Sequence, residues 1–269
     1  MIYFGIAGIL GRMGRSIAQE SEKDPVLKCI KGFDNPGHTE FKKMKQSGLD
    51  LGTHQISIEA LGAENLEGID GVIDFSMPEA TMMVLENCAQ NKIPVVIGTT
   101  GFNDIQLKKI SEFSKIIPVL LSSNMSIGVN LLFALVNSAS NALRDKNFNT
   151  EIFEIHHKHK KDAPSGTAKT LEGIIQKNYN LSSDQITHGR SGIIGERPEK
   201  ELGVFALRGG DVVGDHTVFF LGDGERVELK HQATSRNVFA NGALKALKFI
   251  VKKDPGLYNM FDVLQIKMN

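Results

Sequence analysis

The chain has the length and composition of a globular protein: 269 residues, 41% hydrophobic and 23% charged, with a formal net charge of zero at pH 7. A chain of this length buries a sizeable core as one large domain or two modest ones. Because the whole chain carries no excess positive charge, its composition argues against binding to nucleic acid or to an anionic membrane, and we expect neither partner.

The first 122 residues alternate short apolar segments with helix-like segments. Apolar strands that alternate with helices are typical of a parallel sheet covered on both faces, and right-handed crossovers make it a doubly wound α/β fold of the Rossmann type. The predicted strands are 2–8, 27–34, 71–76, 94–100 and 118–123, and the predicted helices are 14–23, 78–91 and 103–115.

The pattern changes after about residue 126. Helical apolar spacing in NLLFALVNSASNAL predicts a long helix over 127–144, and a last amphipathic helix is predicted over 239–253. Alternating residues and turn signals such as GDGE predict a second α+β domain with a mostly antiparallel, open sheet. Its predicted strands are 150–157, 203–208, 216–221 and 226–232.

Three glycines, Gly8, Gly11 and Gly14, lie in GILGRMG between the first predicted strand and the first predicted helix. A glycine turn at that position lets the backbone approach a pyrophosphate, which then lies at the positive end of the helix. Gly14 would permit close packing of the helix on the strand. The alternative is a tight turn that binds no ligand.

Asp34 ends the second predicted strand, 20 residues after Gly14. An acid at this place accepts hydrogen bonds from the adenosine ribose hydroxyls of a dinucleotide, although a surface aspartate that begins a turn is an alternative. Two further strand ends fall at the same carboxyl edge, where their hydroxyls, amides and backbone suit a nicotinamide ribose and carboxamide. They are Gly98-Thr99-Thr100 and Ser122-Ser123-Asn124-Met125.

The stretch IFEIHHKHKKDAPSGTAKTL, residues 152–171, concentrates histidines and lysines just before a predicted helix that begins at Ser165-Gly166-Thr167. Helix-start N–H groups and lysines bind carboxylates well. Histidine titrates near neutral pH, and lysine can donate a proton to a developing charge. The stretch therefore predicts a site for an anionic substrate that is protonated as it reacts.

Two alternatives apply to the same stretch. A metal site is disfavoured, because on a strand His157 and His159 would share a face that excludes His156, and the flanking lysines repel a cation; we expect no metal. A solvated basic loop without chemistry is the other alternative, and the neighbouring dinucleotide motif argues against it.

The cysteines and the first residues bear on the compartment. Cys29 and Cys88 lie in apolar segments without a CxxC motif, so we expect two buried free thiols in a reducing, cytoplasmic setting. No apolar run approaches the roughly 18 residues of a membrane span. The N-terminal segment lacks a basic leader, so we expect no signal peptide.

The segment EIHHKHKKDAPSGTA closely resembles the signature of the dihydrodipicolinate reductase (4-hydroxy-tetrahydrodipicolinate reductase) family of diaminopimelate and lysine biosynthesis. The resemblance covers nearly the whole chain and includes GILGRMG, VIDFSMPEA, VIGTTGF, SSNMSIGVN and SRNVFANGA. It implies reduction of the dicarboxylate dihydrodipicolinate to tetrahydrodipicolinate, with NADH, NADPH or both as cofactor. It also implies a dinucleotide-binding domain over 1–126, completed by 237–269, and a substrate-binding domain over 127–236 whose open sheet builds a homotetramer.

The resemblance also implies roles for individual residues. His156 is the implied acid/base group and Lys160 the implied proton donor, while His157, Gly166 and Thr167 would hold the carboxylates of the substrate. The residues implied to line the cofactor are Gly8, Ile9, Leu10, Gly11, Arg12, Met13, Asp34, Gly98, Thr99, Thr100, Ser122, Ser123, Asn124 and Met125.

Three positions depart from the family pattern. The family often has glycine where this chain has Leu10, arginine where it has Asn35, and in some members arginine where it has Met77. The last two departures concern the choice of cofactor. Two other functions compete with the reductase: a non-catalytic NAD-binding redox sensor of the same fold, and a dehydrogenase acting on a sugar or semialdehyde. The sensor would be expected to have a damaged proton-transfer signature, and the dehydrogenase would not need the Pro-Ser-Gly-Thr turn.

Overall fold

The structure is a computed structural model that describes residues 1–60 and 66–267. The described residues form two compact units, one of Met1–Ile127 with Asn237–Lys267 and one of Gly128–Arg236. The predicted first domain also includes residues 61–65 and 268–269, which lie outside the described residues. Each unit combines helices with a sheet, which confirms the expected α/β class.

The elements are numbered in chain order. The strands are β1 (Ile2–Ala7), β2 (Leu27–Phe33), β3 (Leu49–Asp50), β4 (Gln55–Glu59), β5 (Gly71–Asp74), β6 (Val95–Ile97), β7 (Pro118–Leu121), β8 (Asn149–His156), β9 (Ile186–Thr187), β10 (Leu202–Arg208), β11 (Gly214–Gly222), β12 (Glu225–Ala233) and β13 (Gly256–Tyr258). The helices are α1 (Arg12–Ser21), α2 (Phe41–Ser47), α3 (Pro78–Asn91), α4 (Asp104–Phe113), α5 (Ile127–Leu143), α6 (Gly166–Tyr179), α7 (Asn237–Ile250) and α8 (Met260–Leu264).

The first unit is built on a sheet with the strand order β13-β7-β6-β5-β1-β2-β4-β3. All of its neighbouring strands are parallel except β3, which pairs antiparallel with β4 at the edge. The chain leaves the central β1 towards β2 and later returns to its other side at β5, so the strand order reverses there. In open parallel sheets, ligands bind outside the carboxyl ends of the strands at such a reversal.

The central strands of this sheet are apolar on both faces because helices cover both. Alternate residues of β5 point to opposite sides: Ile73 joins a core with residues of α1 and α7, while Val72 joins a second core with residues of α3 and α4. Cys29 lies in the first core and Cys88 in the second, both buried and free, as predicted. Burial raises the pKa of both thiols, so they are protonated at neutral pH.

The second unit carries a sheet with the order β12-β11-β8-β10-β9. It is mixed: β12, β11 and β8 are antiparallel, but β10 runs parallel to β8 and to β9. The expected antiparallel pairing is therefore found for β12, β11 and β8, whereas the edge formed by β10 and β9 is parallel. Helix α6 lies between β8 and β10 in the chain, and a crossover helix of this kind joins parallel strands.

Several short elements were not predicted, namely α2, β3, β4, β9, β13 and α8. All six run for only two to seven residues, too few to show a clear period in the sequence. Within residues 1–60 and 66–267, no helix is long and apolar enough to cross a membrane.

Candidate functional site

The turn between β1 and α1 leaves no room for a side chain at Gly8, and the start of α1 leaves none at Gly14. Gly8 has φ +78°, and a Cβ added there would lie 2.4 Å from the carbonyl oxygen of Phe75. A Cβ added at Gly14 would lie 2.3 Å from the carbonyl oxygen of Gly8, so α1 packs directly on the turn, as expected. The N-cap of α1 is Gly11, which has no side chain to cover the N–H groups of the first turn. This cradle fits the pyrophosphate of a dinucleotide.

Asp34 links the end of β2 to the glycine turn. Its carboxylate accepts the N–H of Leu10 at 2.8 Å and the N–H of Asn35 at 2.8 Å. A carboxylate has about four acceptor positions, so two remain for ribose hydroxyls. The geometry suits the role expected of Asp34.

A buried carboxyl group, Asp74, organises the ends of β5 and β6. It accepts hydrogen bonds from the hydroxyls of Ser76 and Thr81, each at 2.5 Å, and of Thr99 at 3.0 Å. The N–H of Ser76 donates in turn to the Thr99 hydroxyl at 3.0 Å, and the N–H of Gly98 to the Asp74 carbonyl at 2.9 Å. Burial raises the pKa of Asp74. Sequence reasoning missed Asp74 and Ser76, which fix the loop that carries Thr99.

The segment after β7 is also fixed locally. The Ser122 hydroxyl donates to the Asn124 carbonyl at 2.8 Å, and the Asn124 side chain accepts the N–H of Ser126 at 2.8 Å. The side chains of Met125, Ile9 and Leu10 lie in the core, so any contact these three make with a cofactor goes through their backbone. The structure thus brings all the predicted cofactor residues to the carboxyl edge of one sheet, at the ends of β1, β2, β6 and β7.

The second group of predicted residues lies at the end of β8. Glu154 and His156 are two residues apart on the strand, so both point to the same face, which α6 covers, and both are buried. The Nδ1 atom of His156 lies 2.5 Å from the Glu154 carboxylate, and the Arg208 guanidinium donates to both carboxylate oxygens at 2.9 Å. Burial raises the pKa of Glu154, but the hydrogen bonds from His156 and Arg208 outweigh this and lower the pKa to about 2.

Ser165 connects this cluster to the start of α6. Its N–H donates to Glu154 at 3.0 Å, and its hydroxyl caps the helix by accepting the N–H of Ala168 at 3.2 Å. The same hydroxyl lies 3.1 Å from Nε2 of His216, whose ring contacts that of His156 edge to face. Burial, and then the charge of His156, lowers the pKa of His216 to about 3, so this ring is neutral at neutral pH.

The other predicted residues of the signature surround this cluster. Lys160 lies in the turn after β8 and pairs with Asp162 at 2.9 Å, which lowers the pKa of Asp162. Gly166 and Thr167 form the first turn of α6. Desolvation, and then the positive charge of Arg236, lowers the pKa of His157, so this ring is mostly neutral at neutral pH. Within the described part of the chain, no group of three or more histidine, cysteine, aspartate or glutamate side chains is arranged to hold a metal ion.

The sequence reasoning found His156 and placed Ser165 at the helix start, but it missed the rest of the cluster: Glu154, Arg208 and His216. One signal was available, since Glu154 and His156 are two residues apart on a predicted strand and must share a face. Arg208 and His216 come from other strands. Arg208 is the register partner of His156, and His216 that of Glu154, which only the pairing of β8 with β10 and β11 reveals.

Comparisons with known proteins account for nearly the whole chain. The family model described as dihydrodipicolinate reductase, N-terminus, matches residues 2–125, and the model of the C-terminus matches residues 128–264. A protein of Aquifex aeolicus (strain VF5) named 4-hydroxy-tetrahydrodipicolinate reductase is 48% identical, over 96% of this chain and 97% of the relative. A protein of the same name from Methanocaldococcus jannaschii is 40% identical, over 98% and 97%.

Solved structures share the fold. The dipicolinate-bound dihydrodipicolinate reductase from Paenisporosarcina sp. TG-14 has a TM-score of 0.78 at 22% identity, covering 97% of this chain and 98% of that one. A probable dehydrogenase from Thermotoga maritima has a TM-score of 0.61 at 14% identity, covering 98% and 93%. At these identities the likeness shows the fold alone. Since the two family models span residues 2–125 and 128–264 and relatives are 40–48% identical along the chain, this protein belongs to the dihydrodipicolinate reductase family.

Proposed function

We propose that the chain reduces dihydrodipicolinate, formed from 4-hydroxy-tetrahydrodipicolinate, to tetrahydrodipicolinate in the diaminopimelate and lysine pathway, with NADH or NADPH as the reductant. The chain is an oxidoreductase of this family. The observation that carries the proposal is the intact cluster around His156 and Lys160 beside the first turn of α6. A non-catalytic NAD-binding sensor would have no need to keep this cluster whole.

The first unit is proposed to hold the cofactor. The first-turn N–H groups of α1 and the glycine turn would hold the pyrophosphate, and Asp34 would accept the ribose hydroxyls. The loops that begin at Gly98 and Ser122 would receive the nicotinamide end. When bound, the nicotinamide supplies a hydride to the conjugated ring of the substrate.

The second unit is proposed to bind the substrate and to supply the proton. The N–H groups at Gly166 and Thr167, with the Thr167 hydroxyl and His157, would bind the two carboxylates. Addition of a hydride to one end of the conjugated system leaves an electron pair at the other end, which takes a proton from Lys160. His156, held by Glu154, would return a proton to Lys160. The positive groups of this unit would stabilise the negative charge that develops on the substrate when the hydride is added.

Thr167→Val is expected to raise the KM for the substrate several-fold with little change in kcat. The Thr167 hydroxyl would bind a carboxylate equally in the ground state and the transition state, which affects KM alone. Thr170→Val is the matched control, because Thr170 lies in the same helix and its hydroxyl donates to the Gly166 carbonyl at 3.1 Å. Steady-state kinetics of both variants decide the point, and a collapsed kcat with normal KM for Thr167→Val would instead indicate a direct catalytic role.

We expect the enzyme to use both cofactors, with NADH equal to or better than NADPH. NADPH carries a 2′-phosphate, which Asp34 would repel. Asn35 offers no charge, and its side-chain oxygen already accepts the N–H of Gly37 at 2.8 Å. Arg15 lies beside the glycine turn, but Glu40 pairs with it and neutralises its charge.

Arg12 remains exposed at the start of α1 and could reach the phosphate. A single mobile arginine in water contributes about 1 kcal/mol, and a tenfold preference requires about 1.4 kcal/mol. The measurement is kcat/KM for both cofactors at one ionic strength. A preference for NADPH above about tenfold would overturn the expectation, and Arg12→Ala and Arg15→Ala would then show which arginine is responsible.

Assembly and location are also proposals. On the face of the second unit's sheet that α6 does not cover, Leu207 is 50% accessible and lies beside the partly exposed Ile155 and Phe153, which supports a homotetramer built on this sheet. Two buried, free thiols support a reducing, cytoplasmic setting. Sedimentation of the purified protein tests the first proposal, since a monomer would contradict it.

The function itself is tested by a coupled assay that begins from pyruvate and aspartate semialdehyde, run separately with NADH and with NADPH. Oxidation of the cofactor that requires both starting compounds and the condensing enzyme supports the proposed reaction. Cofactor oxidation with sugars or semialdehydes alone would favour a different dehydrogenase, and cofactor binding without turnover would favour the sensor.

A further inference from the structure

The buried carboxylate of Glu154 holds more than the ring of His156. Glu154 is fully buried, and its two oxygens accept four hydrogen bonds. One oxygen receives Arg208 and the Ser165 N–H, and the other receives Arg208 and His156. A buried carboxylate is stable only when it is paired and hydrogen-bonded in this way, and the arrangement leaves it little freedom to move.

The contact with His156 determines where that ring carries its proton. An ionised carboxylate only accepts hydrogen bonds, so Nδ1 of His156, 2.5 Å away, must carry a hydrogen. The reactive nitrogen is then Nε2. It faces Gly214, where an added Cβ would lie 3.0 Å from Nε2, so the absence of a side chain at Gly214 keeps this nitrogen uncrowded.

The contact with Ser165 reaches the other half of the site. Ser165 is the N-cap of α6, and the next two residues are the proposed carboxylate-binding turn. The same carboxylate that orients His156 therefore also fixes the start of this helix. Arg208, from β10, balances the charge of Glu154 and reaches the carbonyl oxygen of Asp162 at 2.6 Å, in the loop that carries Lys160.

We infer that Glu154 is a positioning residue of the reduction, which holds His156 in its Nδ1–H tautomer and keeps the acid/base group at a fixed spacing from the first turn of α6. This inference rests on the proposed function for the role of His156. Within the described part of the chain, the charged and titratable groups around His156 are Glu154 on its own strand, the adjacent His157, Arg208 on β10, His216 on β11, and Lys160 with Asp162 in the following loop.

The test compares two variants that differ in charge and one matched control. Glu154→Gln removes the charge at constant size and is expected to lower kcat roughly 10²-fold, the lower end of general acid–base contributions. Its kcat–pH profile is expected to differ from that of the wild type, because the charged group beside Nδ1 of His156 is removed. Glu154→Asp keeps the charge and is expected to recover part of the activity. NADH affinity, a property of the first unit, is expected to remain unchanged.

Glu151→Gln is the control, because Glu151 is on the same strand and pairs with Arg190 and Arg197 but does not contact His156. It is expected to keep kcat and the pH profile. An equal fall of kcat in Glu151→Gln and Glu154→Gln would reduce the role of Glu154 to general stability of β8 and overturn the inference. Wild-type kcat and pH profile in folded Glu154→Gln would overturn it as well.

Two further measurements keep the test decisive if Glu154→Gln does not fold. The double variant Glu154→Gln/Arg208→Gln leaves no uncompensated buried charge, and it is expected to show the same loss of kcat.

Solid-state NMR of isotope-labelled histidine reports the tautomer of His156 without substrate, and the His156→Ala variant assigns the signal. The inference predicts Nδ1–H for His156 in the wild type and loss of this preference in the double variant; an unchanged tautomer would contradict it. If the wild type did not turn over the substrate, but its His156 tautomer differed from that of the double variant as predicted, the result would contradict the proposed function and leave the inference about Glu154 standing.

Discussion

Replacing His156 or Lys160 by alanine is expected to lower kcat by roughly 10²–10⁴-fold, the range that general acid–base catalysis contributes. Lys160 is the proposed donor to the carbon or nitrogen that receives the electron pair, and His156 is the group proposed to restore its proton. Neither residue belongs to the unit that is proposed to hold the cofactor, so the Kd for NADH is expected to stay close to that of the wild type.

Lys158→Ala and His159→Ala are the matched controls, since both residues lie in the same stretch and are exposed. They are expected to keep most of the activity, which would separate specific proton transfer from the general positive charge of the loop. Stopped-flow turnover and NADH titration of the four variants make the comparison. Near-normal turnover in both His156→Ala and Lys160→Ala would show that proton transfer is located elsewhere.

Gly8→Ala is expected to weaken NADH binding by more than about tenfold, or about 1.4 kcal/mol, and to lower the stability of the protein. Alanine at φ +78° suffers the strain of the left-handed region, on the order of 1–2 kcal/mol. Its Cβ would also lie 2.4 Å from the Phe75 carbonyl oxygen, so the turn that is proposed to contact the pyrophosphate must move.

Gly68→Ala separates these two causes. Gly68 has a nearly equal φ of +80°, but a Cβ added there meets nothing within 4 Å. It is expected to lower stability by the strain alone and to leave the NADH Kd unchanged. Thermal unfolding and NADH titration of both variants check the prediction. Equal effects of the two substitutions on NADH binding would mean that the close approach at Gly8 has no part in holding the cofactor.

The sequence predicted most strands of the parallel sheet because each is a mostly apolar segment that is followed by a distinctive residue. Gly8, Asp34 and Gly98 directly follow β1, β2 and β6, and the carboxyl ends of parallel strands meet at one edge. The alternation of strands with helices therefore predicted that these residues lie at one edge, without any information on long-range contacts. The region between Asp34 and β5 was not predicted, because α2, β3 and β4 are short and carry no strong period.

The site in the second unit was predictable only in part. His156, Lys160 and the start of α6 lie within one stretch of the chain, so their types and spacing revealed them. Arg208, which pairs with Glu154, comes from β10, and His216, whose ring contacts His156, comes from β11; the register of those strands is decided by packing in the whole sheet. The parallel edge of this sheet followed from α6 lying between β8 and β10, a signal that the sequence contained.

The most direct test of the proposed reaction follows the hydride itself. The enzyme is supplied with freshly formed dihydrodipicolinate and NADH that carries deuterium on the transferred position of the nicotinamide, and the product is examined by mass spectrometry. The proposed function predicts tetrahydrodipicolinate that contains one deuterium per molecule of NADH oxidised, with the signal reduced in step with kcat in Lys160→Ala. NADH that binds but is not oxidised above the rate without enzyme, or a product that contains no deuterium, would contradict it.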